Sequence, residues 1–245
     1  MATPDQQLIE RLLRGVVGYT RRFQRGLSLR VDVYDKQYSH LRPRFENLLD
    51  PVQLIPEGAV DRIRIDAPEA RARGIELTLR REAERGLAGW LSLAFAQAEE
   101  KEGNVWTSRS WEQQQTLSFG SSWTGNKWNV SLAGLFHSGM PRTFIGIGST
   151  PLPGGGFDVE GVVGPRNGKH IGSYARVDLR ANRDVLLANS KISFYLEVTN
   201  LLNTKNECCV EDYDVVEGRG GVPFLAIETS YWLPMLPSFG FQWEF

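Results

Sequence analysis

The last nine residues of the chain constrain its fold more than any other stretch, because aromatic side chains stand there at every second position. Side chains of a β-strand alternate between its two faces, so a strand at this point places all the rings on one face. A soluble protein seldom leaves such a row bare, whereas an outer-membrane β-barrel turns that face to lipid. The ending therefore favours a membrane-facing strand. The aromatic residues are Phe239, Phe241, Trp243 and Phe245.

The same alternation recurs along most of the chain. Apolar residues alternate with polar or small ones in runs at 27–34, 75–80, 87–96, 116–120, 128–136, 175–182 and 192–199. With a less regular run at 13–23 and the terminal one, this period-two pattern predicts about nine strands. We expect strands of about 9–13 residues, long enough to cross a bilayer at a tilt. Helix is predicted at most as one turn within residues 5–14.

The connections between these strands alternate strictly in length. Short turns are predicted at 24–26, 83–86, 124–127 and 187–190. Long connections are predicted at 39–69, 99–109, 140–172 and 203–236. In an up-and-down sheet this order places every short turn on one edge, which is typical of transmembrane barrels. Soluble sandwiches usually mix the two lengths on both edges.

Tryptophan positions agree with two membrane interfaces. Trp123, Trp128 and Trp243 are predicted at the short-turn edge, and Trp106 and Trp111 at the opposite edge. Aromatic girdles at two levels are expected of a transmembrane barrel.

Charged residues alternate with the apolar ones and so lie on the other face of the predicted sheet. This face is either the solvated surface of a soluble sheet or the polar lumen of a wide barrel. Its residues are Arg30, Asp32, Glu76, Arg80, Arg176, Asp178, Arg180 and Glu197.

Bulk properties exclude some classes of protein. The formal net charge of −1 leaves no basic footprint for nucleic acid. The sequence has no apolar run of about 18 residues that would form a transmembrane helix. Residues 1–7 lack the pattern of a secretory signal, so we expect either a cytoplasmic protein or the tail of a longer exported one.

Motifs for catalysis or cofactor binding receive no support. The Gly-rich segment 153–157 lacks the Lys-Ser/Thr ending of a phosphate loop and is predicted to be a loop tip. His40, His137 and His170 lie on different elements, so a shared metal site is not expected. No nucleophile-elbow motif accompanies the serines. We assign no catalytic, cofactor-binding or metal-binding residue, and we expect no enzyme activity.

An acidic run, Glu99-Glu100-x-Glu102, stands at a strand end. Such runs are mostly solvated faces, and that is the expectation here. On an outer loop, the alternative is participation in a ligand or cation site.

Several segments together resemble TonB-dependent outer-membrane receptors. Residues 73–80 resemble their "GvElslrr" strand, and 110–117 their "sWDqrhtl" segment. Residues 174–180 resemble "y.rvDlr", and 198–203 the "v.NLfd" box. The segment 236–240 and the terminal Phe245 resemble the closing strand of these barrels. The resemblance rests on the order and spacing of the motifs, and it extends from about residue 13 to the end.

The resemblance implies an all-β, antiparallel up-and-down barrel portion. These receptors have about 22 strands around a plugged lumen, and the nine predicted here would be the last nine. Residues 13–245 would be barrel, with 1–12 as a poorly defined lead-in. The plug domain and the earlier strands would belong to the same receptor outside this chain. The terminal aromatic row would be the signal that the barrel assembly machinery reads.

The implied function is active transport across the outer membrane of a Gram-negative bacterium. The receptor would bind a scarce nutrient, which would be a ferric siderophore, cobalamin or an oligosaccharide. The TonB complex would supply the energy, no bond would be made or broken, and no cofactor is implied. The long connections 39–69, 140–172 and 203–236 would form the outer vestibule, in which ligand contacts are not assigned.

The adjacent Cys208 and Cys209 would lie in the last extracellular loop of such a receptor. In an oxidising compartment the pair would form a vicinal disulfide or remain free.

Two other functions stay open from the sequence. One is a soluble all-β binding module, such as a carbohydrate-binding sandwich, whose core would be the apolar faces. The other is a simple outer-membrane porin, which would need no plug.

Overall fold

β-strands make up most of the described residues, which also include a 3-10 turn at Gln24–Gly26. The computed structural model describes residues 11–49, 55, 58, 62–83, 85–154, 157–188, 190–218 and 222–245. In chain order the strands are β1 (Arg11–Arg22), β2 (Leu27–Ser39), β3 (Arg44–Asn47), β4 (Arg62–Ile65), β5 (Glu69–Arg81), β6 (Gly86–Glu102), β7 (Val105–Ser108), β8 (Gln115–Thr124), β9 (Trp128–His137), β10 (Pro141–Arg142), β11 (Ile145–Pro151), β12 (Phe157–Val163), β13 (Lys169–His170), β14 (Tyr174–Leu187), β15 (Ser190–Thr199), β16 (Glu207–Glu217), β17 (Pro223–Tyr231) and β18 (Leu236–Glu244).

Ten of these strands form one antiparallel sheet, in which nine follow the order β1-β2-β5-β6-β8-β9-β14-β15-β18 and β7 pairs with the end of β6. Each long strand therefore pairs with the next long strand along the chain, and the predicted nine-strand, up-and-down architecture is confirmed. Among the residues that the structure describes, β1 pairs only with β2 and β18 only with β15, so the sheet is open. We call this the main sheet.

Strand lengths in the main sheet extend beyond the predicted 9–13 residues at two places. β6 has 17 residues and β14 has 14. β6 is longer because it continues along β5 past Phe95, where its pairing with β8 ends. On that side its last residues, Glu99 to Glu102, pair with β7 instead. The predicted long connection at 99–109 is thus mostly a hairpin.

The register aligns the apolar residues of all the strands on one face of the main sheet. Val33 stands opposite Ile75, which stands opposite Phe95. At the other end of the sheet Phe194 stands opposite Phe241. These side chains are exposed, and Phe239 in β18 is 86% exposed. The soluble sandwich would bury this face as its core, so the described residues do not support that alternative.

The opposite face carries the predicted charged residues, mostly as ion pairs. Arg180 in β14 contacts Glu197 in β15 at 3.0 Å across the strand pair. Arg30 contacts Asp32 at 2.5 Å two positions along β2. Because the pairs form within the face itself, charges of both signs are spread over it, as expected of a polar lumen wall.

The long connections contain hairpins that the sequence analysis did not predict. β3 pairs with β4, β11 with β12, and β16 with β17, while β10 and β13 pair over two residues each. β11 lacks a clear apolar alternation because it contains two glycines and ends on Pro151. All of these hairpins lie on the edge of the main sheet opposite to the short turns.

Some predictions fall partly outside the described residues. These include residues 1–10 of the lead-in, Glu84 and Asn189 in two short turns, and 155–156 in the Gly-rich segment. Residues 11–14 belong to β1, so the predicted helical turn does not include them. Among the described residues, no helix has the length and apolar character needed to cross a membrane.

Candidate functional site

A cluster of charged side chains joins three segments at the long-connection edge of the main sheet. The segments are strand β3, the β6–β7 hairpin with the residues after it, and the turn at 164–168. The cluster contains Arg44, Glu46, Glu100, Glu102, Arg109 and Arg166. We call it the outer-loop ion cluster.

Strand β3 provides the first arm of the cluster. Arg44 and Glu46 are two positions apart, so the strand directs both side chains to the same face. The guanidinium of Arg44 donates to both carboxylate oxygens of Glu100, at 2.7 Å each. It also donates to Oε1 of Glu46, with Nη2 at 2.5 Å. Two-pronged pairing of this kind is the strongest arginine–carboxylate geometry.

The turn at 164–168 provides the second arm, which we call the Arg166 finger. Asn167 has a φ of 55°, and the backbone N–H of Gly168 donates to Pro165 O at 3.1 Å. This tight turn inserts Arg166 between the other two segments. Its guanidinium donates to Glu46 at 3.0 Å and to Glu100 at 2.6 Å, and it contacts Glu102.

Neutral groups hold the finger from the side. The Asn167 side-chain amide donates to Ser108 O at 2.8 Å and to Ser110 Oγ at 3.0 Å. The Ser110 hydroxyl donates to Glu46 at 2.9 Å. These contacts tie the finger to the segment that follows β7.

Glu100 is the centre of the cluster and has no exposed surface. It accepts hydrogen bonds from Arg44 and Arg166, and a third from Arg109 Nε at 3.1 Å. Burial raises the pKa of Glu100, but hydrogen bonding to Arg44 and the charges of the three arginines outweigh burial, so the pKa is lowered. Burial lowers the pKa of Arg44, and its carboxylate partners raise it further than that, so both groups stay charged.

The expectation of a solvated acidic run is wrong for Glu100, and Glu99 is also largely buried against Arg71 at 2.7 Å. Local sequence carries no signal for this, because the partners Arg44 and Arg166 are 56 and 66 positions from Glu100. The burial of this acidic run depends on segments that are distant in the sequence and reach it only in the folded chain.

The two tryptophans predicted at this edge belong to the same charged layer. The Trp106 ring lies 4.2 Å from the Arg71 guanidinium. The Trp111 ring lies 5.4 Å from Arg44 and 4.9 Å from Arg109. These are cation–π distances, at which the ring face attracts the guanidinium group. A membrane role for these two rings stays a prediction.

The three tryptophans predicted at the short-turn edge stand in phase with the apolar face. Trp123 pairs with Val130, and Trp243 pairs with Ile192. Trp128 lies under the Arg183 guanidinium at 5.2 Å.

The three histidines lie apart. His137 stacks on Tyr174 at 4.8 Å, with Nδ1 2.8 Å from Ser138 O. His40 follows β2, and His170 lies in β13. The described residues contain no group of three or more side chains that could hold a metal ion.

Cys208 and Cys209 lie at the start of β16, where the register with β17 shifts. Their sulfur atoms are 2.15 Å apart. Whether the pair is oxidised in the cell stays a prediction. So does the assembly role of Phe239, Phe241, Trp243 and Phe245, the first three of which lie in β18.

The outer-loop ion cluster can do two things chemically. It contains three guanidinium and three carboxylate groups, so it is neutral and can fix three loops relative to one another. Its buried carboxylates can also recognise a cation. The polar face of the main sheet carries further charged groups, such as the Arg180–Glu197 pair.

Sequence comparison matches residues 15–201 to the family described as "TonB dependent receptor-like, beta-barrel". No curated protein sequence matches the chain.

Solved structures with the same fold include the ferripyoverdine receptor of the outer membrane of Pseudomonas aeruginosa bound to ferripyoverdine. It is 15% identical, with a TM-score of 0.59 over 96% of this chain and 27% of that chain. The FpvAI–pyocin S2 complex is 14% identical, with a TM-score of 0.56 over 96% of this chain and 28% of that one. This likeness concerns the fold. The chain spans just over a quarter of the length of these proteins.

Proposed function

Because the chain belongs to the TonB-dependent receptor-like β-barrel family, we propose that it forms a section of the barrel wall of an outer-membrane active transporter. The transporter takes up a scarce nutrient with energy from the TonB complex, and it makes or breaks no bond. The chain then lies in the outer membrane of a Gram-negative bacterium.

One observation carries this proposal: the main sheet has an exposed apolar face and a charged opposite face. Transferring an exposed Phe or Leu side chain from water to lipid is worth about 1.5–3 kcal/mol. The apolar face has several such residues, including Leu13 in β1, Leu91 in β6 and Phe194 in β15. Arg180 and Glu197 on the other face instead require a polar neighbour. A barrel wall between lipid and a polar plug satisfies both faces.

The open edges support a contribution from further strands of the same receptor. β1 runs toward the short-turn edge, and β18 also ends there, since Glu244 pairs with Lys191 next to a short turn. The first and last strands are therefore parallel. An all-antiparallel closure requires an odd number of additional strands, and a barrel of about 22 strands meets that condition.

The nutrient is a ferric siderophore, cobalamin or an oligosaccharide. The ferripyoverdine receptor that shares this fold makes a ferric siderophore the first candidate. The ligand enters through the long connections 39–69, 140–172 and 203–236, which form the outer vestibule. The Cys208–Cys209 pair lies in the last of these as a vicinal disulfide.

Partners beyond the ligand follow from the same proposal. The plug domain fills the polar side of the wall and transmits the action of the TonB complex. The barrel assembly machinery reads the terminal strand that ends in Phe245.

Uptake in cells tests the proposal. The intact receptor is produced in a Gram-negative host, and entry of labelled ferric siderophores, cobalamin and oligosaccharides is measured with and without a functional TonB gene. We expect one ligand class to enter only with TonB. Uptake that is indifferent to TonB would support a porin, and a receptor that stays monodisperse in buffer without detergent would contradict the membrane location.

A further inference from the structure

The apolar face of the main sheet changes to polar within one step along strands β2, β5 and β6. Its last apolar row consists of Val33, Ile75 and Phe95. Two positions nearer the long-connection edge, the first polar row consists of Asp35, Arg73 and Gln97. Side chains two positions apart in a strand share a face. The two rows therefore border each other on the same side of the sheet.

A groove lies between these two rows. Side chains of the last apolar row form one wall and those of the first polar row form the other, while the backbone of the row between them is the floor. Gly15 in β1 stands in register with Asp35 and has no side chain, so the groove continues onto β1. Its volume of about 880 Å³ is in the range of sites for small organic ligands.

Two opposite charges in the polar wall are not used against each other. Asp35 and Arg73 stand directly opposite across the strand pair, a placement in which opposite charges usually attract. Within the described residues they form no ion pair. The Arg73 Nε donates instead to the neutral Gln97 at 3.1 Å, and Asp35 accepts from the neutral Gln37 at 3.3 Å. Both charges thus remain available at the groove.

The next row toward the long-connection edge has its charges paired. Arg71 contacts Glu99 at 2.7 Å, and the Trp106 ring lies 4.2 Å from its guanidinium. Glu99 is also the carboxylate nearest to Arg73, but the distance is 4.0 Å and its oxygen is already bonded to Arg71. Arg73 is 47% exposed, compared with 32% for Arg71. The uncompensated charges therefore stand in the row that borders the apolar residues.

We propose that this groove binds a membrane lipid whose headgroup carries both a phosphate and a primary ammonium group. The acyl chain lies on the last apolar row, the phosphate accepts hydrogen bonds from Arg73, and the ammonium donates to Asp35. Arginine suits the phosphate because its planar group can donate to two oxygens at once. The inference rests on the proposed function, since it requires the apolar face to lie in a bilayer, and it adds the chemistry of the bound lipid.

Native mass spectrometry of the intact receptor in detergent tests the groove. Phosphatidylethanolamine, phosphatidylglycerol and phosphatidylcholine with the same acyl chains are titrated, and the affinity of the first bound lipid is measured. Phosphatidylethanolamine should bind at least about tenfold more tightly than phosphatidylglycerol, the effect of one hydrogen bond to a charged group. Phosphatidylcholine should also bind more weakly, because its ammonium has no N–H to donate. Equal affinity for the three lipids would overturn the proposal.

Two substitutions separate the roles of the charges. Arg73→Gln should weaken the binding of phosphatidylethanolamine and phosphatidylglycerol alike, because both carry the phosphate. Asp35→Asn should remove the preference for phosphatidylethanolamine over phosphatidylglycerol. Arg30→Gln is the matched control, since Arg30 lies on the opposite face and is paired with Asp32 at 2.5 Å. An equal loss in the control would show a general effect of charge and overturn the site.

The free headgroup glycerophosphoethanolamine tests the contribution of the apolar wall. At equal concentration it should not displace the lipid, and displacement would overturn the acyl-chain contact. The comparison of lipids on the wild-type receptor does not depend on the folding of a variant. Lack of selectivity in a receptor that still requires detergent would overturn this site alone. A receptor that is monodisperse without detergent would overturn the membrane location, and the lipid site with it.

Discussion

In the main sheet large apolar side chains are exposed, whereas in the outer-loop ion cluster charged side chains are buried. Phe241 in β18 is 67% exposed, while Glu100 at the end of β6 is completely covered. Both arrangements are the reverse of an ordinary soluble domain. The two regions share strand β6, which runs through the main sheet and ends in the ion cluster.

The two regions differ because different interactions hold them together. In the main sheet, the strands between β1 and β18 pair on both sides, so backbone hydrogen bonds hold them together without burial of the apolar face. The loop region buries few apolar residues. Among the described residues, the buried apolar ones are Ile65, Ala67, Ala70, Ile145, Val177 and Val210. Its loops are instead joined by arginine–carboxylate contacts. Such contacts are specific in geometry, and they are vulnerable to the loss of any one partner.

Replacing the Glu100 carboxylate should destabilise the contacts between the loops and leave the main sheet folded. Glu100→Gln leaves Arg44, Arg109 and Arg166 without their shared partner, at a cost of about 3–5 kcal/mol. Native-state hydrogen exchange at β3 and β7 measures this loss of stability. Glu197→Gln, in a partly exposed pair, should cost about 0–1 kcal/mol, and an equal small cost for both would refute a cluster held by buried charge.

A charged side chain on the apolar face should destabilise the main sheet in a bilayer. Leu91→Lys in β6 should cost about 2–4 kcal/mol in a bilayer. Its neighbour Ser92 points to the other face, where its Oγ lies 3.2 Å from Thr78 Oγ1. Ser92→Lys should therefore lower the free energy of unfolding far less than Leu91→Lys. Unfolding titrations of the intact receptor in lipid measure both values. Similar costs at the two positions would contradict the assignment of the faces.

Two glycine-to-alanine substitutions should differ in stability, because one glycine is closely packed in the main sheet and the other lies in an open loop. A Cβ at Gly74 would lie 2.6 Å from Phe95 O and 2.7 Å from the Tyr34 hydroxyl. Gly74→Ala should cost about 1–3 kcal/mol through overpacking. Gly154 has open space around it, and Gly154→Ala should change stability by less than about 0.5 kcal/mol. Unfolding midpoints of the two variants distinguish these outcomes.

Acid should loosen the loop region before the sheet. The folded pKa of Glu100 is lowered, with burial opposing and the arginines favouring its charge. Its contribution is fully present above the ordinary glutamate pKa of about 4.3 and is lost as pH falls through the lowered value. Exchange at β3 should rise in that window, and Glu100→Gln should remove the dependence. Loosening on the alkaline side would contradict this sign.

The main sheet could be predicted from the sequence because its signals are local. The alternation around Phe194 and Phe241 and the short turns between strands are each visible within a few residues. The cluster could not be predicted, because Arg44 and Glu100 are 56 positions apart and meet only through the fold. Some hairpins in the long connections have only weak local signals. β3 and β4 have four residues each, and β11 and β12 contain glycines.

The most direct test of the two-faced main sheet is a spin-label scan along β15 in the intact receptor in bilayers, with Cys208 and Cys209 replaced by serine. Accessibility to oxygen, relative to a water-soluble nickel chelate, is measured at single nitroxide labels. The account predicts high oxygen accessibility at Phe194 and Leu196 and low values at Ser193 and Glu197, with a period of two. Uniform accessibility along the strand, or the opposite phase, would contradict it.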